Sequence, residues 1–413
     1  MAKGSGSRDK AVKRQYEDFP YPPRAPEDEK GRLITGSPSH LDELNHYIFA
    51  GKRDFSKPFR ALVAGGGTGD AAIMLAQQLA DRGDQGSVTY VDLSKASRSV
   101  VEARAKARGL SNLDFHTGSL LDLPDMKFEP FDYIDCCGVL HHLENPEAGL
   151  MALSQVLADD GGMGLMVYAT LGRTGVYHVQ NALKSLYGEE APARQVQLSK
   201  KFVENLPSTN WLKRNPFVGD HQMGEDAAFF DLLLHPRDRS YLVPEVVDFL
   251  NFAELDLVTF IEPVKYDPAV YISDKDALSR IKKMSMVDQA TLAENILGNQ
   301  KTHIFYVRKK TDGKPTVAKI DPDMMPVLKD GNTAEGLAQS FRGRSELVVN
   351  FDGEKVTFPL PPRIAEIISL VDGTVSLRDI QNKLSLNWEG FRRLFAPIFK
   401  FLNGLNIMWL RKA

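Results

Sequence analysis

The sequence predicts an α/β protein whose mostly parallel sheet is doubly wound, with helices on both faces. Short apolar runs alternate with helical patterns between about residues 59 and 170, and a glycine-rich turn joins the first strand to the first helix. Parallel neighbours need a crossover between them, usually a helix, so this alternation indicates a parallel sheet. A chain of 413 residues is long for one domain, and we expect about two or three.

The composition is that of an ordinary globular protein, with 43% apolar and 25% charged residues. The net charge of −3 gives no overall attraction to nucleic acid or to an anionic membrane. The two cysteines, Cys136 and Cys137, are adjacent and form neither a disulfide framework nor a zinc pattern, which suits a reducing compartment. The sequence shows no apolar run of about 18 residues and no secretory signal. We therefore predict a cytoplasmic protein without a membrane span or a nucleic-acid partner.

The stretch 59–92 reads as strand, glycine turn, helix, strand and acid. Residues 61–64 and 88–91 are the apolar runs, residues 65–69 read GGGTG, and Asp92 ends the second run. Glycines let a ligand approach the backbone, and the helix N-terminus behind them offers unpaired N–H groups. An acid at the end of the second strand is placed to hold ribose hydroxyls. We predict binding of an adenosine-containing molecule. The alternative is a tight turn without a ligand.

The following elements continue the pattern. Ser94 is the predicted cap of a helix that ends near Arg108, with Gly109 as its stop. Residues 113–117 and 131–137 are the third and fourth strands, and a helix from about residue 144 ends near residue 157. Residues 159–162 read as a turn before a fifth strand at 163–168. Residues 67–72 fit the nicotinamide pattern G-x-G-x-x-A, so the glycine motif alone leaves the nucleotide open.

Four segments together resemble class I S-adenosylmethionine (SAM) methyltransferases. GGGTG at 65–69 resembles their motif I, and GSLLDLP at 118–124 resembles their adenine loop. FDYIDCCGVLHHLENP at 131–146 resembles motif IV, and LADDGGMGLMVY at 157–168 resembles the entry to strand five. The resemblance covers about residues 59–170 and favours SAM over a nicotinamide cofactor. It also implies a seven-stranded sheet that ends in an antiparallel strand at residues 302–308.

The resemblance implies a set of cofactor-binding residues in these motifs and after the second strand: Gly65, Gly67, Gly69, Asp70, Asp92, Leu93, Ser119, Leu120, Cys137 and Gly138. Two positions depart from the family. Val63 stands where many members carry an acid that orients the methionine ammonium, so Asp70 or a backbone carbonyl is expected to do so. Ser119 stands where the adenine loop often has Asp, and its hydroxyl still donates or accepts. No metal is expected.

Three side chains are candidates for catalysis. His141 or His142 is of a type that takes a proton from an attacking amine or hydroxyl near neutral pH, although a histidine pair is common in the family and often structural. The N-terminal segment with Tyr16 and Tyr21 is rich in proline and aromatic residues. It predicts either a lid that brings Tyr16 or Tyr21 near the reacting group, with Tyr21 as the catalytic candidate, or an arm pinned to the surface.

Residues 170–240 form an insertion relative to a minimal methyltransferase, with helices expected at 176–187, 195–206 and 226–234. An insertion after strand five lies over the carboxyl edge of the sheet, where ligands bind. It is the expected source of acceptor specificity. Surface salt bridges or caps are the alternative roles for its candidate contacts, which are Arg173, Tyr177, His235, Arg237, Arg239 and Tyr241.

Residues 309–315 read KKTDGKP, a charged linker. Beyond it we expect a hairpin at 346–359, helices at 362–370, from 376 and at 388–402, and a strand at 407–410. These elements suggest a small α+β, winged-helix-like domain for protein interaction or dimerisation. A homodimer is therefore one of the predicted assemblies. The predicted divisions are an N-terminal arm and helix (1–58), a SAM-binding domain (59–310) and the C-terminal domain (316–413).

The predicted reaction is transfer of the sulfonium methyl to a nucleophile by in-line displacement, on a small-molecule or protein side-chain acceptor. The arm and the D-G-T of residues 372–374 are similar to bacterial methyltransferases with an attached regulatory domain, some of which modify protein lysines. A protein lysine methyltransferase is therefore one alternative, and a non-catalytic SAM sensor is another. The Asn-Pro-Pro-Tyr motif of enzymes that methylate base or amide nitrogens is absent.

Overall fold

The computed structural model describes residues 17, 20–83, 85–222, 226–310, 315–329 and 332–412. The strands of the central sheet are β1 (Phe59–Ala64), β2 (Gly86–Asp92), β3 (Leu113–Thr117), β4 (Phe131–Cys137), β5 (Leu157–Ala169), β6 (Ser240–Tyr241), β7 (Leu255–Phe260) and β8 (Thr302–Lys309). Seven of them lie in the order β3-β2-β1-β4-β5-β8-β7. Strands β1 to β5 are parallel, and β8 runs antiparallel to both of its neighbours. This confirms the predicted α/β sheet.

The helices that flank this sheet and form the insertion are α1 (Leu41–Ile48), α2 (Asp70–Arg82), α3 (Lys95–Arg108), α4 (Pro146–Val156), α5 (Val176–Tyr187), α6 (Pro192–Glu204), α7 (Trp211–Arg214), α8 (Asp226–Leu233), α9 (Val243–Phe252), α10 (Lys275–Ile281) and α11 (Met286–Leu297). Short 3-10 turns at Leu120–Met126, Leu140–His142 and Leu171–Arg173 follow β3, β4 and β5. None of the helices in the described ranges is long and apolar enough to span a bilayer.

The sheet separates two apolar cores, because side chains alternate along each strand. Along β1, Leu62 and Ala64 belong to the core that includes α4 and α9 residues. Ala61 and Val63 belong to the core on the other face, with α1, α2 and α3 residues. A strand buried on both faces reads as a continuous apolar run, which is why the pattern at 61–64 predicts β1.

Two details of the sheet differ from the prediction. The turn predicted at 159–162 is wrong, because these residues lie inside β5, where the register with β4 shifts between Phe131 and Tyr133. Leu157 pairs with Phe131 and Gly162 pairs with Tyr133, so the extra residues of β5 form a bulge. The second difference is β6, a two-residue strand that pairs with β5. It adds an eighth strand that is too short for a sequence pattern to reveal.

The C-terminal region contains β9 (Met325–Leu328), α12 (Ala334–Phe341), β10 (Glu346–Phe351), β11 (Glu354–Pro359), α13 (Ile364–Ile368), α14 (Leu377–Lys383), α15 (Trp388–Gly404) and β12 (Met408–Arg411). The predicted hairpin is β10–β11, and β12 pairs antiparallel with β9. Strand β9 and helix α12 were not expected. The winged-helix likeness and the three-part division of the chain stay predictions.

The C-terminal strand lies against helix α1. The amide of Leu410 donates to Nδ1 of His46 over 3.1 Å, and the amide of Ala318 donates to the carbonyl of His46 over 2.7 Å. Trp409 is 2% exposed and belongs to the same apolar core as α1, α2 and β1. The C-terminal region therefore completes a core of the central sheet.

Candidate functional site

A cavity of about 670 Å³ opens at the carboxyl ends of the parallel strands. This volume is within the usual range of small-molecule sites, and the position is where doubly wound sheets bind ligands. The wall is built by the glycine turn, the ends of β2 and β4, the loop after β3, the segment before α1 and the insertion. It includes all but one of the predicted cofactor residues: Gly65, Gly67, Asp70, Asp92, Leu93, Ser119, Leu120, Cys137 and Gly138.

The glycine turn is covered directly by the N-terminal arm. The carbonyl of Tyr21 accepts from the amide of Thr68 over 3.3 Å, and the carbonyl of Pro22 accepts from the Thr68 hydroxyl over 2.6 Å. Gly67 has φ +51°, and a Cβ there would come within 2.6 Å of the Tyr21 carbonyl oxygen. Glycine is required at this position because the arm lies on the backbone of the turn. Tyr21 lines the cavity, whereas Tyr16 lies outside the described residues.

Gly69 is the predicted cofactor residue that does not line the cavity. It is the N-cap of α2 with φ +98°, and a Cβ there would come within 2.1 Å of Val101 on α3. The structure therefore gives Gly69 a packing role between α2 and α3. A contact of Gly69 with the cofactor stays a prediction.

Asp92 connects the second strand to the glycine turn. Its Oδ2 accepts from the amide of Gly67 and its Oδ1 accepts from the amide of Ser94, both over 2.8 Å. Burial raises the pKa of the Asp92 carboxyl, although these backbone hydrogen bonds act to lower it. The carboxylate holds the turn in shape and still lines the cavity, as a ribose-binding acid must.

Asp70 also lines the cavity, but its charge is already balanced. Arg24 from the N-terminal arm donates through Nε and Nη2, and Arg104 from α3 donates through Nη1 over 2.7 Å. Burial alone would raise the pKa of the Asp70 carboxyl, and the hydrogen bonds from these two guanidinium groups hold it below its ordinary value. The expected contact of Asp70 with the methionine ammonium stays a prediction.

Asp135 lines the same cavity but is not among the residues that the sequence motifs predict. It lies inside β4, is 2% exposed, and its Oδ2 accepts from the hydroxyl of Ser39 over 2.7 Å. Burial raises the pKa of the Asp135 carboxyl to about 6, although hydrogen bonds from Ser39 and Cys137 lower it. An acid in the middle of an apolar strand was the available signal, since a charge there is rarely buried without a partner or a function.

The two cysteines follow Asp135 at the end of β4. Cys136 is fully buried, and Cys137 lines the cavity beside Gly138. Burial raises the pKa of both thiols well above the ordinary value, and the Asp135 carboxylate adds to the effect. Neither thiol is activated as a nucleophile, because the thiolate is the reactive form.

Four polar side chains form another part of the cavity wall, two of them from the insertion, one from the turn after β4 and one from the end of β5. His142, Tyr168, Arg173 and Asp231 all contribute to it. The Tyr168 hydroxyl donates to Oδ2 of Asp231 over 3.0 Å. Burial raises the pKa of the Asp231 carboxyl, although His142 acts to lower it. Arg173 pairs with Asp238 over 3.1 Å and lies 3.7 Å from the centre of the Tyr168 ring.

The backbone of Arg237 engages two histidines at this wall. Its carbonyl lies 2.9 Å from Nδ1 of His142, and its amide donates to Nδ1 of His235 over 3.1 Å. A carbonyl only accepts, so His142 carries its proton on Nδ1 and keeps a lone pair on Nε2. His235 has the opposite tautomer when neutral, and its ring stacks on His142 with centroids 3.8 Å apart. His142 thus has the tautomer of a base.

His141 does not line the cavity. It is fully buried between the rings of His142 and Tyr168, at centroid distances of 4.2 Å and 3.9 Å. Within the described ranges neither ring nitrogen has a hydrogen-bond partner, and burial lowers the pKa of this imidazole well below its ordinary value. This environment favours packing, and the catalytic role of His141 stays a prediction.

Two groups of side chains bring possible metal ligands within 4.8 Å of one another: His141, His142 and Asp238, and His142, Asp231 and His235. The Arg237 amide already occupies the Nδ1 lone pair of His235. A neutral His235 then carries a proton on Nε2 and has no nitrogen left for a metal. In the first group Asp238 is already paired with Arg173. The geometry favours an acid–base cluster.

The candidate acceptor contacts do not all line the cavity. Arg173 lines the cavity, whereas Tyr177, His235, Arg237, Arg239 and Tyr241 do not. Arg239 pairs with Glu147 over 3.4 Å and Arg237 lies 3.8 Å from Glu144. These ion pairs connect the end of the insertion to the start of α4. Direct contact of these residues with an acceptor stays a prediction.

The sheet order and the glycine-lined cavity define a class I, Rossmann-like methyltransferase fold. Residues 62–163 match the family described as a methyltransferase domain. The chain thus carries a class I, SAM-dependent methyltransferase domain, as the sequence motifs predict.

Relatives extend the similarity beyond this domain. An uncharacterized protein from a Synechococcus strain is 28% identical over 308 residues, covering 72% of this chain and 70% of the relative. PKMT2 from Rickettsia typhi in complex with AdoHcy has a TM-score of 0.56 at 14% identity, covering 88% of this chain and 76% of that chain. A second structure of PKMT2 from Rickettsia typhi has a TM-score of 0.59 at 15% identity, covering 95% and 77%. At these identities the two structures show a shared fold.

Proposed function

We propose that this enzyme methylates a nucleophile that enters the cavity from the side of the insertion. One observation carries the proposal: a single cavity is lined both by Asp92 with the glycine turn and by His142 with Asp231. The first pair of features suits a nucleoside, and the second suits an acceptor that must be oriented and deprotonated. A site for SAM alone needs no polar wall built by an insertion.

The residues of the cavity fit SAM. Asp92 would accept from the ribose hydroxyls, Ser119 and Leu120 would flank the adenine, and the backbone near Gly65 and Gly67 would approach the methionine portion. When bound, SAM supplies a methyl group that is already electrophilic because it is attached to a sulfonium. Positioning is then the main contribution of the protein, and alignment alone lowers such barriers by roughly 7–11 kcal/mol in the best cases.

His142 is the proposed base. Its Nδ1 is engaged by the Arg237 carbonyl, which leaves Nε2 to accept a proton from an acceptor that must lose one. Asp231 lies in the same wall, and the attraction of His142 acts against the burial that raises the pKa of the Asp231 carboxyl. Tyr168 orients this carboxylate through its hydroxyl.

The acceptor is a small molecule or a protein side chain. The buried polar wall supports a small molecule, whereas the insertion and the C-terminal region offer additional surface for a protein. A protein lysine is one specific form of the second alternative. A non-catalytic SAM sensor remains the competing function, and the closeness of His142 to Asp231, within 4.8 Å, argues against it, because a sensor needs no base.

The cofactor site is tested by Asp92→Ala, which removes the carboxylate at the end of β2. We expect SAM affinity, measured by isothermal titration, to fall at least about tenfold, since a charge-assisted hydrogen bond is lost. The matched control is Asp122→Ala, which removes an exposed acid from the nearby 3-10 turn. Unchanged affinity in Asp92→Ala, or a preference of the wild type for NAD, would contradict the proposed site.

The acceptor is identified by methyl transfer from radiolabelled SAM into a native lysate that is then split into protein and small-molecule fractions. Label in one fraction assigns the acceptor class, and His142→Gln is the matched control for non-enzymatic labelling. Label in neither fraction would favour the sensor.

We also propose a cellular location and an assembly for the protein. A cytoplasmic location is supported by the two free cysteines, which match a reducing compartment. A homodimer through the C-terminal region stays a prediction, and light scattering of the purified chain tests it directly.

A further inference from the structure

Asp135 occupies a position that corresponds to the acid missing from the glycine motif. It lies directly opposite Val63 in the parallel pairing of β4 with β1. Paired residues of neighbouring strands direct their side chains to the same face of a sheet. The Asp135 carboxylate therefore lies one strand away from Val63, on the same face of the sheet.

Among the described residues, no lysine or arginine is a partner of Asp135. In the parts of the chain that the structure describes, its carboxylate accepts from the Ser39 hydroxyl, and no ion pair with Lys or Arg is recorded. Asp70 differs, because Arg24 and Arg104 both hold it. A buried carboxylate is costly unless it is paired, and Asp135 faces a cavity that can receive the partner.

We propose that Asp135 binds the ammonium group of the methionine portion of SAM, and so performs the role that the absent acid at Val63 has in related enzymes. This inference rests on the proposed cofactor site. Asp135 lies two residues before Cys137, and both line the cavity beside Gly65. Ser39, 3% exposed, orients the carboxylate from the segment before α1. Asp70 then serves to hold the N-terminal arm through Arg24.

An ammonium on the acceptor is a less suitable partner for Asp135. The acceptor wall, as we call the polar part of the cavity wall, consists of His142 after β4, Tyr168 in β5, Arg173 after β5 and Asp231 in α8. Asp135 pairs in register with Val63 of β1 and with Gly164 of β5, and β1 leads from Val63 into the glycine turn. The pairing with β1 places the Asp135 carboxylate beside the strand that carries the glycine turn, so the ammonium of the cofactor is the partner that we infer.

The test compares two probes that differ in the ammonium-bearing part. S-adenosylhomocysteine carries the amino-acid portion, and 5′-methylthioadenosine has the same nucleoside without it. In Asp135→Asn, which keeps the shape and removes the charge, we expect affinity for S-adenosylhomocysteine to fall at least about tenfold by isothermal titration. Affinity for 5′-methylthioadenosine should change less than about twofold, which also shows that the variant is folded.

A relocation experiment adds a gain of function. Asp135→Val should lose affinity for S-adenosylhomocysteine as Asp135→Asn does. The double variant Val63→Asp with Asp135→Val moves the carboxylate back to β1 on the same face. We expect the double variant to bind S-adenosylhomocysteine at least about threefold more tightly than Asp135→Val does. The affinity of each variant for 5′-methylthioadenosine is measured as the reference.

The possible failures are distinguishable. Unchanged S-adenosylhomocysteine affinity in Asp135→Asn overturns the inference and leaves the proposed function intact. Equal losses for both probes also overturn it, because Asp135 would then support the shape of the cavity. Unchanged affinities with loss of methyl transfer would assign Asp135 to the acceptor instead. A wild-type chain that binds neither probe overturns the cofactor site, and the inference with it.

Discussion

Individual residues at the acceptor wall owe their chemistry to contacts with the backbone. Because the Arg237 carbonyl engages Nδ1 of His142, the neutral ring keeps its lone pair on Nε2. His141, its neighbour in sequence, has the same side chain but no cavity surface. We therefore expect His142 to act as the base, whereas the environment of His141 favours packing, although the sequence does not distinguish the two histidines.

We predict that His142→Gln lowers the rate of methyl transfer by roughly 10²–10⁴-fold, the usual contribution of a general base. S-adenosylhomocysteine affinity should stay within about twofold, since the change lies at the acceptor wall. The measurement is the initial rate of labelling of the acceptor fraction, together with the titration. In His142→Ala, added imidazole should restore part of the rate, and a slow variant that imidazole does not rescue would point to a structural role.

At the scale of elements, a buried ion pair joins the start of the insertion to its end. Nη2 of Arg173 lies 3.1 Å from Oδ2 of Asp238, which also accepts from Gln180 over 3.0 Å. Both charged side chains are at most 5% exposed. Burial alone would lower the pKa of the Arg173 guanidinium, but the attraction of Asp238 raises it above its ordinary value. Arg173 is therefore a cation in the folded chain.

We predict that Arg173→Met lowers the free energy of unfolding by about 3–5 kcal/mol, because it leaves the Asp238 carboxylate buried without a counter-charge. The double variant with Asp238→Leu should recover much of this loss, since an apolar pair needs no compensation. Urea unfolding of both variants and the wild type is the measurement. A double variant as unstable as Arg173→Met would mean that packing of the guanidinium, and not its charge, is what stabilises the insertion.

The elements also show how far a sequence specifies its fold. Strands β3 and β4 and helix α5 have the predicted bounds, because each is defined by a local apolar pattern. Asp135 could not be assigned in this way, since its role depends on the pairing of β4 with Val63, 72 residues earlier in the chain (135 − 63 = 72). Strand β9 likewise gains its identity from β12, which lies far along the chain. A local sequence pattern does not show which distant strands pair with each other.

At the scale of the whole molecule, the C-terminal region supports the wall of the cavity. Nδ2 of Asn406 donates to the hydroxyl of Ser37 over 3.0 Å, and Ser37 lines the cavity two residues before Ser39. Oδ1 of Asn406 accepts from the indole of Trp409 over 2.9 Å. The C-terminal strand, the segment before α1 and the cofactor half of the cavity thus form one hydrogen-bonded unit, which gives the C-terminal region a physical route to the site.

The contact between α1 and β12 should make the stability of the molecule depend on pH. Nδ1 of His46 accepts from the amide of Leu410, and burial lowers the pKa of this imidazole to about 4. In an unfolded chain the pKa of a histidine is about 6.5. Below that pH the unfolded chain binds a proton that the folded chain excludes. The stability that neutral His46 contributes is complete above about pH 6.5 and is lost as the pH falls toward 4, by at most about 1.4 kcal/mol per pH unit.

The matched variant is His46→Asn, whose amide oxygen can still accept from Leu410 and does not titrate. We predict that, between pH 7.5 and pH 5, the wild type loses about 2 kcal/mol more free energy of unfolding than this variant, from 1.5 pH units below the unfolded pKa. His141 and His235, whose pKa values are also lowered by burial, are common to both proteins and cancel in the difference. Urea unfolding at the two pH values measures it. An equal loss in both proteins would mean that His46 is hydrated in solution, and that β12 does not close over α1.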